Sequence, residues 1–110
     1  MSPSLGEFEQ MVLLAILQRG EEAFALQVLE ELDQRAGRRV SRGALYKTLE
    51  RLEAKKLIGW AVEDPTPGRG GHPRRIFHVT RDGIAILRAS RDALHRMWRG
   101  LDGILGVPNP

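Results

Sequence analysis

Residues 41–60 read SRGALYKTLERLEAKKLIGW, and the apolar spacing within this stretch changes from helical to strand-like. Leu45, Leu49 and Leu52 recur at intervals of three and four, which predicts a helix from about residue 42 to 56 with one buried face. Ser41 stands where the N-cap of that helix is expected. Successive residues of a helix are rotated by about 100°, so the positions opposite the buried face point outward. These are Gly43, Lys47, Glu50 and Ala54, with Tyr46 and Arg51 at the edges of the outward face.

A loop rich in proline and glycine follows, between two short strands. Ile58, Trp60 and Val62 alternate with other residues, and Ile76 and His78 alternate with Phe77 and Val79, so both segments are predicted to be strands. The twelve residues from Glu63 to Arg74 include three prolines and three glycines, which argue against a helix or strand there. Two strands joined by such a loop are typical of a wing.

Two further helices are predicted ahead of this stretch. Apolar residues recur at helical spacing between about residues 6 and 19, and again between about residues 23 and 35. Gly37 is placed to end the second of these helices. The order helix, helix, helix, strand, wing, strand, helix is that of a winged helix-turn-helix fold, which is mainly α with a small α+β component.

The last predicted helix carries a narrow apolar seam. Thr80 is a suitable N-cap, and the helix is expected over residues 81–106, after a winged-helix domain at 1–80 and before a disordered tail at 107–110. The seam positions follow steps of three and four over about three heptads: Ile84, Leu87, Arg91, Leu94, Trp98, Leu101 and Leu105. Because the rest of the domain leaves little core for this seam, a second copy of the helix is its expected partner.

Charge is segregated along the chain. Residues 1–34 hold seven acidic residues and one basic residue, whereas residues 35–110 hold sixteen basic and seven acidic ones, within a net charge of +3. Such a distribution can steer a polyanion to one side, although a solvated surface with clustered charges is an equally open interpretation. The chain has no cysteine, its apolar run 11–17 is too short for a bilayer, and no secretory signal is recognisable, which favours a soluble cytoplasmic protein.

Catalysis and cofactor binding are not expected. The histidines His72, His78 and His95 fall on a loop, a strand and a helix, without the spacing of metal ligands. No glycine-rich loop leads from a strand into a helix, so a phosphate-cradling nucleotide site is not indicated.

The third helix and the wing together predict binding to duplex DNA. The major groove admits one helix, and a helix that enters N-terminus first brings its free N–H groups near phosphates. The expected helix contacts are Ser41 and Arg42 to the backbone, Gly43 as a point of close approach, Tyr46 and Lys47 to base edges or phosphates, and Arg51 to the flanking strand. The wing residues, which suit a minor groove or adjacent phosphates, are Arg69, Gly70, Gly71, His72, Arg74 and Arg75.

Some of these residues have a second interpretation. Tyr46 could be a half-buried packing residue and Arg51 a solvated charge, and for Lys55 and Lys56 a solvated charge is the favoured interpretation. Phosphate would repel Glu50, which either pairs with Lys47 or accepts a hydrogen bond from a cytosine amine. The alternative function for the whole molecule is that of a winged-helix module that binds protein instead of DNA. An apolar or acidic outer face on the third helix and a short neutral wing would be typical of such a module.

The stretches SRGALYKTLERLEAKKLIGW and EDPTPGRGGHPRRIFHVTRDG (63–83) resemble the PadR-type transcriptional regulators. The matching positions are Leu45, Tyr46, Leu49, Leu52 and Glu53 in the third helix, and Arg74, Arg75, Phe77, Thr80 and Gly83 after the wing. The resemblance covers about residues 5–101 and is greatest to a short branch with a single C-terminal helix. It implies a homodimer joined through that helix, which binds a palindromic operator, usually as a repressor.

The sequence departs from the family's pattern in two places, the start of the second helix and the third helix. Phe24, Ala25 and Leu26 stand where the second helix often opens with His-Gly-Tyr, so no role of that His or Tyr is carried over. Lys47 replaces a proline and adds a base to the DNA-facing side. The single C-terminal helix leaves little room for a dedicated effector pocket, but Trp98 could line a cleft between subunits where a small apolar effector acts; plain packing is the simpler alternative.

Overall fold

The computed structural model describes residues 5–63 and 73–109. It contains the helices α1 (Glu7–Arg19), α2 (Ala25–Ala36), α3 (Arg42–Ala54), α4 (Arg81–Trp98) and α5 (Asp102–Leu105), and the strands β1 (Ile58–Glu63) and β2 (Arg74–Val79). The strands pair antiparallel, with Ile58 opposite Val79 and Glu63 opposite Arg74. The predicted winged helix-turn-helix fold, mainly helical with a two-stranded sheet, is confirmed.

The hydrophobic core lies between the first three helices and the base of the hairpin. Leu45, Leu49 and Leu52, the predicted buried face of α3, are at most 3% exposed. They belong to one cluster with Val12, Leu13, Ile16, Val28, Leu32, Leu57, Ile58 and Phe77. Since α3 is fixed along its whole inner side, its outer side is presented to solvent in a defined orientation.

Helix α2 begins at Ala25, two residues later than its apolar spacing predicted. The Phe77 N–H donates to Ala23 O at 2.9 Å, and Phe24 forms an isolated β-bridge with Ile76. This pairing holds Phe24 in extended backbone (φ −86°, ψ 160°), so the helix cannot include it. The segment before α2 therefore pairs with β2 through a single antiparallel bridge, next to the two-stranded wing sheet.

The predicted caps of α3 and α4 are both present. Ser41 Oγ accepts the Ala44 N–H at 3.1 Å, and Thr80 Oγ1 accepts the Gly83 N–H at 3.1 Å. Gly37, with φ +65°, ends α2 in the left-handed conformation that glycine adopts most easily.

Helix α3 ends at Ala54, two residues earlier than predicted, in a turn that places Lys56 at φ +62°. A left-handed conformation costs a residue other than glycine roughly 1–2 kcal/mol. We expect Lys56→Gly to raise the free energy of unfolding by about 0.5–1 kcal/mol, because the freedom of glycine in the unfolded chain offsets part of the gain. Lys56→Ala removes the same side chain but keeps the strain. Urea denaturation should show no gain for alanine, and an equal gain in both variants would contradict the backbone explanation.

Helix α4 ends at Trp98, so the prediction of one helix through residue 106 is wrong. Arg99 has extended backbone, Gly100 has φ +83°, and the separate four-residue helix α5 follows. Leu101 and Leu105 therefore do not continue the seam of α4. The glycine at position 100 explains the break, since glycine disfavours a helix interior by about 1 kcal/mol. The division of the chain at residue 80 and the disorder of its tail stay predictions.

Candidate nucleic-acid interface

The N-terminal end of α3 is exposed and carries small and basic residues. Ser41 Oγ accepts the hydrogen bond that caps the helix. The Ser41 hydroxyl hydrogen remains available to donate to an acceptor such as a phosphate oxygen. Arg42 and Gly43 are exposed, and their backbone N–H groups have no acceptor within the helix. The positive end of the helix dipole is therefore open to an anion.

The outward face of α3 is the one predicted from its spacing, with Gly43, Lys47, Glu50 and Ala54 all exposed. Among the described residues, neither Lys47 nor Glu50 forms an ion pair, so the possible pairing of these two side chains is absent. Arg51 is turned along its own helix, where its Nη2 donates to Thr48 Oγ1 at 3.3 Å. Lys47 is thus the base on this face that is best placed to reach a ligand.

A concave surface joins α3 to the wing. This depression of about 320 Å³ lies between the start of α2, the first turns of α3 and the start of β2. Four of the predicted DNA-binding residues line it: Arg42, Tyr46, Arg74 and Arg75. The fold therefore brings residues of the recognition helix and residues of the wing to one surface, which spacing along the chain alone does not show.

The two adjacent wing arginines have different environments. The Arg74 Nη2 lies 3.2 Å from Glu63 Oε1, and its guanidinium lies 3.8 Å from the centre of the Phe24 ring. Arg75 is exposed and forms no ion pair within the part of the chain that the structure describes. Arg74 is therefore engaged with the sheet and with the segment before α2, whereas the charge of Arg75 is available to a ligand.

Four predicted contacts lie outside the described residues. These are the residues of the wing loop, Arg69, Gly70, Gly71 and His72. Their contact with DNA stays a prediction.

The acidic side chains of the N-terminal part are largely paired with bases elsewhere on the molecule. Glu7 bonds Arg38 at 2.7 Å, and Glu31 bonds both Arg19, at 2.9 Å, and Arg35. The hydrogen bond from Arg35 is the main cause that lowers the pKa of Glu31 below its ordinary value. These carboxylates therefore offset Arg19, Arg35 and Arg38. Among the described residues, Arg42 and Lys47 of α3 and Arg75 of β2 form no ion pair.

Lys55 is not the plain solvated charge that its sequence position suggested. Its Nζ lies 2.7 Å from Glu9 Oε2 and so ties the end of α3 to α1. Burial raises the pKa of Glu9, but the hydrogen bonds from Lys55 and from the Gly6 N–H outweigh it, so the pKa is lowered. This ion pair belongs to the scaffold of α3 rather than to its ligand-facing side.

Helices α1 and α4 leave an apolar groove between them. The cavity has a volume of about 520 Å³, and its apolar lining includes Leu14, Leu17, Ile84, Leu94 and Trp98. Leu87, a predicted seam residue, is packed mainly into the core of its own chain. Arg91, which also lines the groove, is paired with Asp92 at 2.9 Å.

The described part of the chain contains neither a metal-ligand cluster nor a membrane-spanning helix. Within residues 5–63 and 73–109, no three His, Cys, Asp or Glu side chains form a cluster suited to a metal ion. No helix in those ranges has the length and apolar character needed to cross a membrane.

The fold is similar to several solved structures. A PadR family transcription regulator from Clostridium difficile R20291 has a TM-score of 0.71 at 19% identity, over 90% of this chain and 99% of that one. A PadR-like transcriptional regulator from Bacillus cereus also has a TM-score of 0.71, at 23% identity, over 92% of this chain and 93% of that one. A PadR-like transcription factor from Bacteroides fragilis has a TM-score of 0.69 at 23% identity, over 88% of each chain. Comparison with curated proteins gives no match.

The three-helix core, the hairpin wing and the basic surface between them define a winged helix-turn-helix protein. The model of the transcriptional regulator PadR-like family matches residues 13–89. The chain therefore belongs to the PadR-like family, whose members are transcriptional regulators rather than enzymes.

Proposed function

We propose that the chain is a sequence-specific DNA-binding transcriptional regulator, which acts in the cytoplasm as a homodimer that represses from a palindromic promoter site. The observation that carries the proposal is the common surface formed by Arg42 and Tyr46 of α3 with Arg75 of β2. A helix N-terminus beside a cation from the wing suits the major groove of a duplex and the phosphates that flank it.

The apolar groove between α1 and α4 supports the homodimer. Leu94 is 50% and Trp98 58% exposed, and Leu14 and Leu17 face the same groove from α1. Soluble monomers rarely leave contiguous apolar patches of this kind open to water. We propose that α4 of a second copy covers the groove, which would give the assembly the two-fold symmetry of a palindromic site.

The proposal includes a small apolar effector that binds near Trp98. His95, Trp98, Leu105 and Val107 line a depression of about 740 Å³ at the C-terminal end of α4. Such a depression, beside a subunit interface, could hold an apolar molecule next to the Trp98 ring. Its simpler occupant is the side chains of the second copy.

Anisotropy of a labelled duplex from the promoter of its own operon tests the DNA-binding function. We expect Lys47→Ala to lower affinity about tenfold, because an exposed amine on the groove-facing side of α3 is lost. Arg96→Ala, which removes an equal charge from an exposed site on α4, is the matched control and should bind like the parent.

A salt series separates DNA binding from protein binding. The affinity of the parent should fall steeply as salt rises, because each phosphate contact releases counterions. Weak binding with a flat salt response on every promoter fragment would favour the protein-interaction module instead.

A further inference from the structure

The Arg75 side chain lies among three aromatic rings. Its guanidinium carbon is 5.1 Å from the centre of the Trp60 ring, 5.4 Å from that of Phe77 and 5.7 Å from that of Tyr46. All three distances fall within the range of about 6 Å over which a cation is attracted to a ring face. Trp60, Phe77 and Tyr46 form an aromatic cluster around Arg75.

The register of the hairpin explains the arrangement. Trp60 pairs directly with Phe77, and Arg75 pairs with Val62, so Arg75 is the diagonal neighbour of Trp60 on the same side of the sheet. Tyr46 belongs to α3, and its ring contacts Arg75 from that helix. Arg75 therefore bridges the wing and the recognition helix.

Trp60 is itself held in place. Its Nε1 donates a hydrogen bond of 3.0 Å to Glu53 Oε1, in the last turn of α3. The ring is thus fixed to the same helix that contributes Tyr46, and the orientation of Arg75 is tied to α3 through both residues.

The cluster restricts Arg75 without neutralising it. An aromatic ring attracts the guanidinium charge without accepting a conventional hydrogen bond, so the N–H donors stay free for a further acceptor. No carboxylate among residues 5–63 and 73–109 pairs with Arg75, in contrast to Arg74 with its partner Glu63. A cation with restricted motion and free donors suits a phosphate oxygen, because less side-chain entropy is lost on binding.

We infer that Trp60 is a positioning residue for DNA binding, which holds the Arg75 guanidinium toward a backbone phosphate beside the groove that receives α3. The inference rests on the proposed DNA-binding function. It concerns a strand residue that the sequence marks only as an apolar alternation position.

A double-mutant cycle on duplex binding tests the inference, with Trp60→Leu and Arg75→Ala made singly and together. Trp60→Leu should weaken binding about fivefold per subunit, the scale of one cation–ring contact. In the Arg75→Ala background the same change should alter affinity less than about twofold, because the residue through which Trp60 acts is gone. Trp60→Phe, which keeps a ring, should restore binding to within about twofold of the parent.

The outcomes separate the two proposals. Equal losses from Trp60→Leu in both backgrounds, or no loss in either, would overturn the role of Trp60 while DNA binding stands. A parent that binds no duplex at low salt would overturn both. Without DNA, the parent's Arg75 side-chain proton signals should lie upfield from ring currents and move downfield in folded Trp60→Leu; unchanged signals would also overturn the contact.

Discussion

Gly83→Ala is expected to lower the free energy of unfolding by about 3 kcal/mol, the upper part of the range for overpacked sites. A Cβ at this position would lie 2.4 Å from the carbonyl oxygen of Leu57 and 2.6 Å from Val79 Cγ1. Neither contact can be relieved by a flexible side-chain end, because one is backbone and the other belongs to a strand. The start of α4 would have to move away from the turn that follows α3.

That turn also holds the cap of α4, so the expected loss includes hydrogen bonds. The Thr80 N–H donates to Leu57 O at 3.0 Å, and the Thr80 hydroxyl donates to Lys56 O at 2.8 Å. Displacement of α4 would lengthen both bonds. The structure thus gives a physical reason for the Thr and Gly that follow the wing in the motif.

Chemical denaturation at one fixed protein concentration measures the effect, since an oligomer's stability depends on concentration. Gly103→Ala is the matched control, because a Cβ there meets nothing within 4 Å and the residue lies in the short helix α5. The control should lose no stability. A loss below about 0.5 kcal/mol in Gly83→Ala would show that α4 shifts at little cost.

The local features of the fold could be predicted from the sequence because their causes are local. Ser41 and Thr80 cap helices through bonds to residues three positions on, and Gly37 ends a helix through its own backbone angle. The buried face of α3 follows from helical spacing alone. The exposed face, with Lys47 in it, follows in turn.

Features that depend on contacts between distant residues could not be predicted. Alternation along β2 places Arg74 and Arg75 on opposite faces, but which face meets α3 depends on the packing of the hairpin. The sequence analysis therefore predicted the same role, DNA contact, for both arginines, although Arg74 is paired with Glu63. Trp60 was missed for the same reason, because the long connection between the two strands does not fix their register.

The predicted end of α4 was wrong although the sequence contains a local signal for it, because the apolar seam continues past that signal. Apolar residues at steps of three and four continue to Leu105, and that spacing favoured one long helix. Gly100 interrupts the pattern without changing its period. Periodicity describes which face a helix would bury, whereas glycine content bears on whether the helix continues.

Changing Leu94 and Trp98 together to aspartate is expected to convert the protein to monomers. Both residues line the groove that we propose α4 of a second copy covers. Burial of an unpaired carboxylate costs several kcal/mol, and a two-fold interface presents each substitution twice. Light scattering after size exclusion gives the mass, and circular dichroism checks that the variant is folded.

Met97→Asp is the matched control for added charge. Met97 lies on the same turn of α4 but is 75% exposed and does not line the groove, so this variant should remain dimeric. Dimers that persist in the double variant would show that another surface joins the subunits.

The monomeric variant also separates dimerisation from DNA contact. Each subunit would keep α3 and Arg75, so a single half-site should still be bound with a salt-dependent affinity. Binding to a full palindromic site should fall to the level of that half-site, because the second contact no longer benefits from the effective concentration that linkage provides. If folded monomers bound the full site as tightly as the parent, one subunit would be the functional DNA-binding unit and the palindrome would have no structural basis.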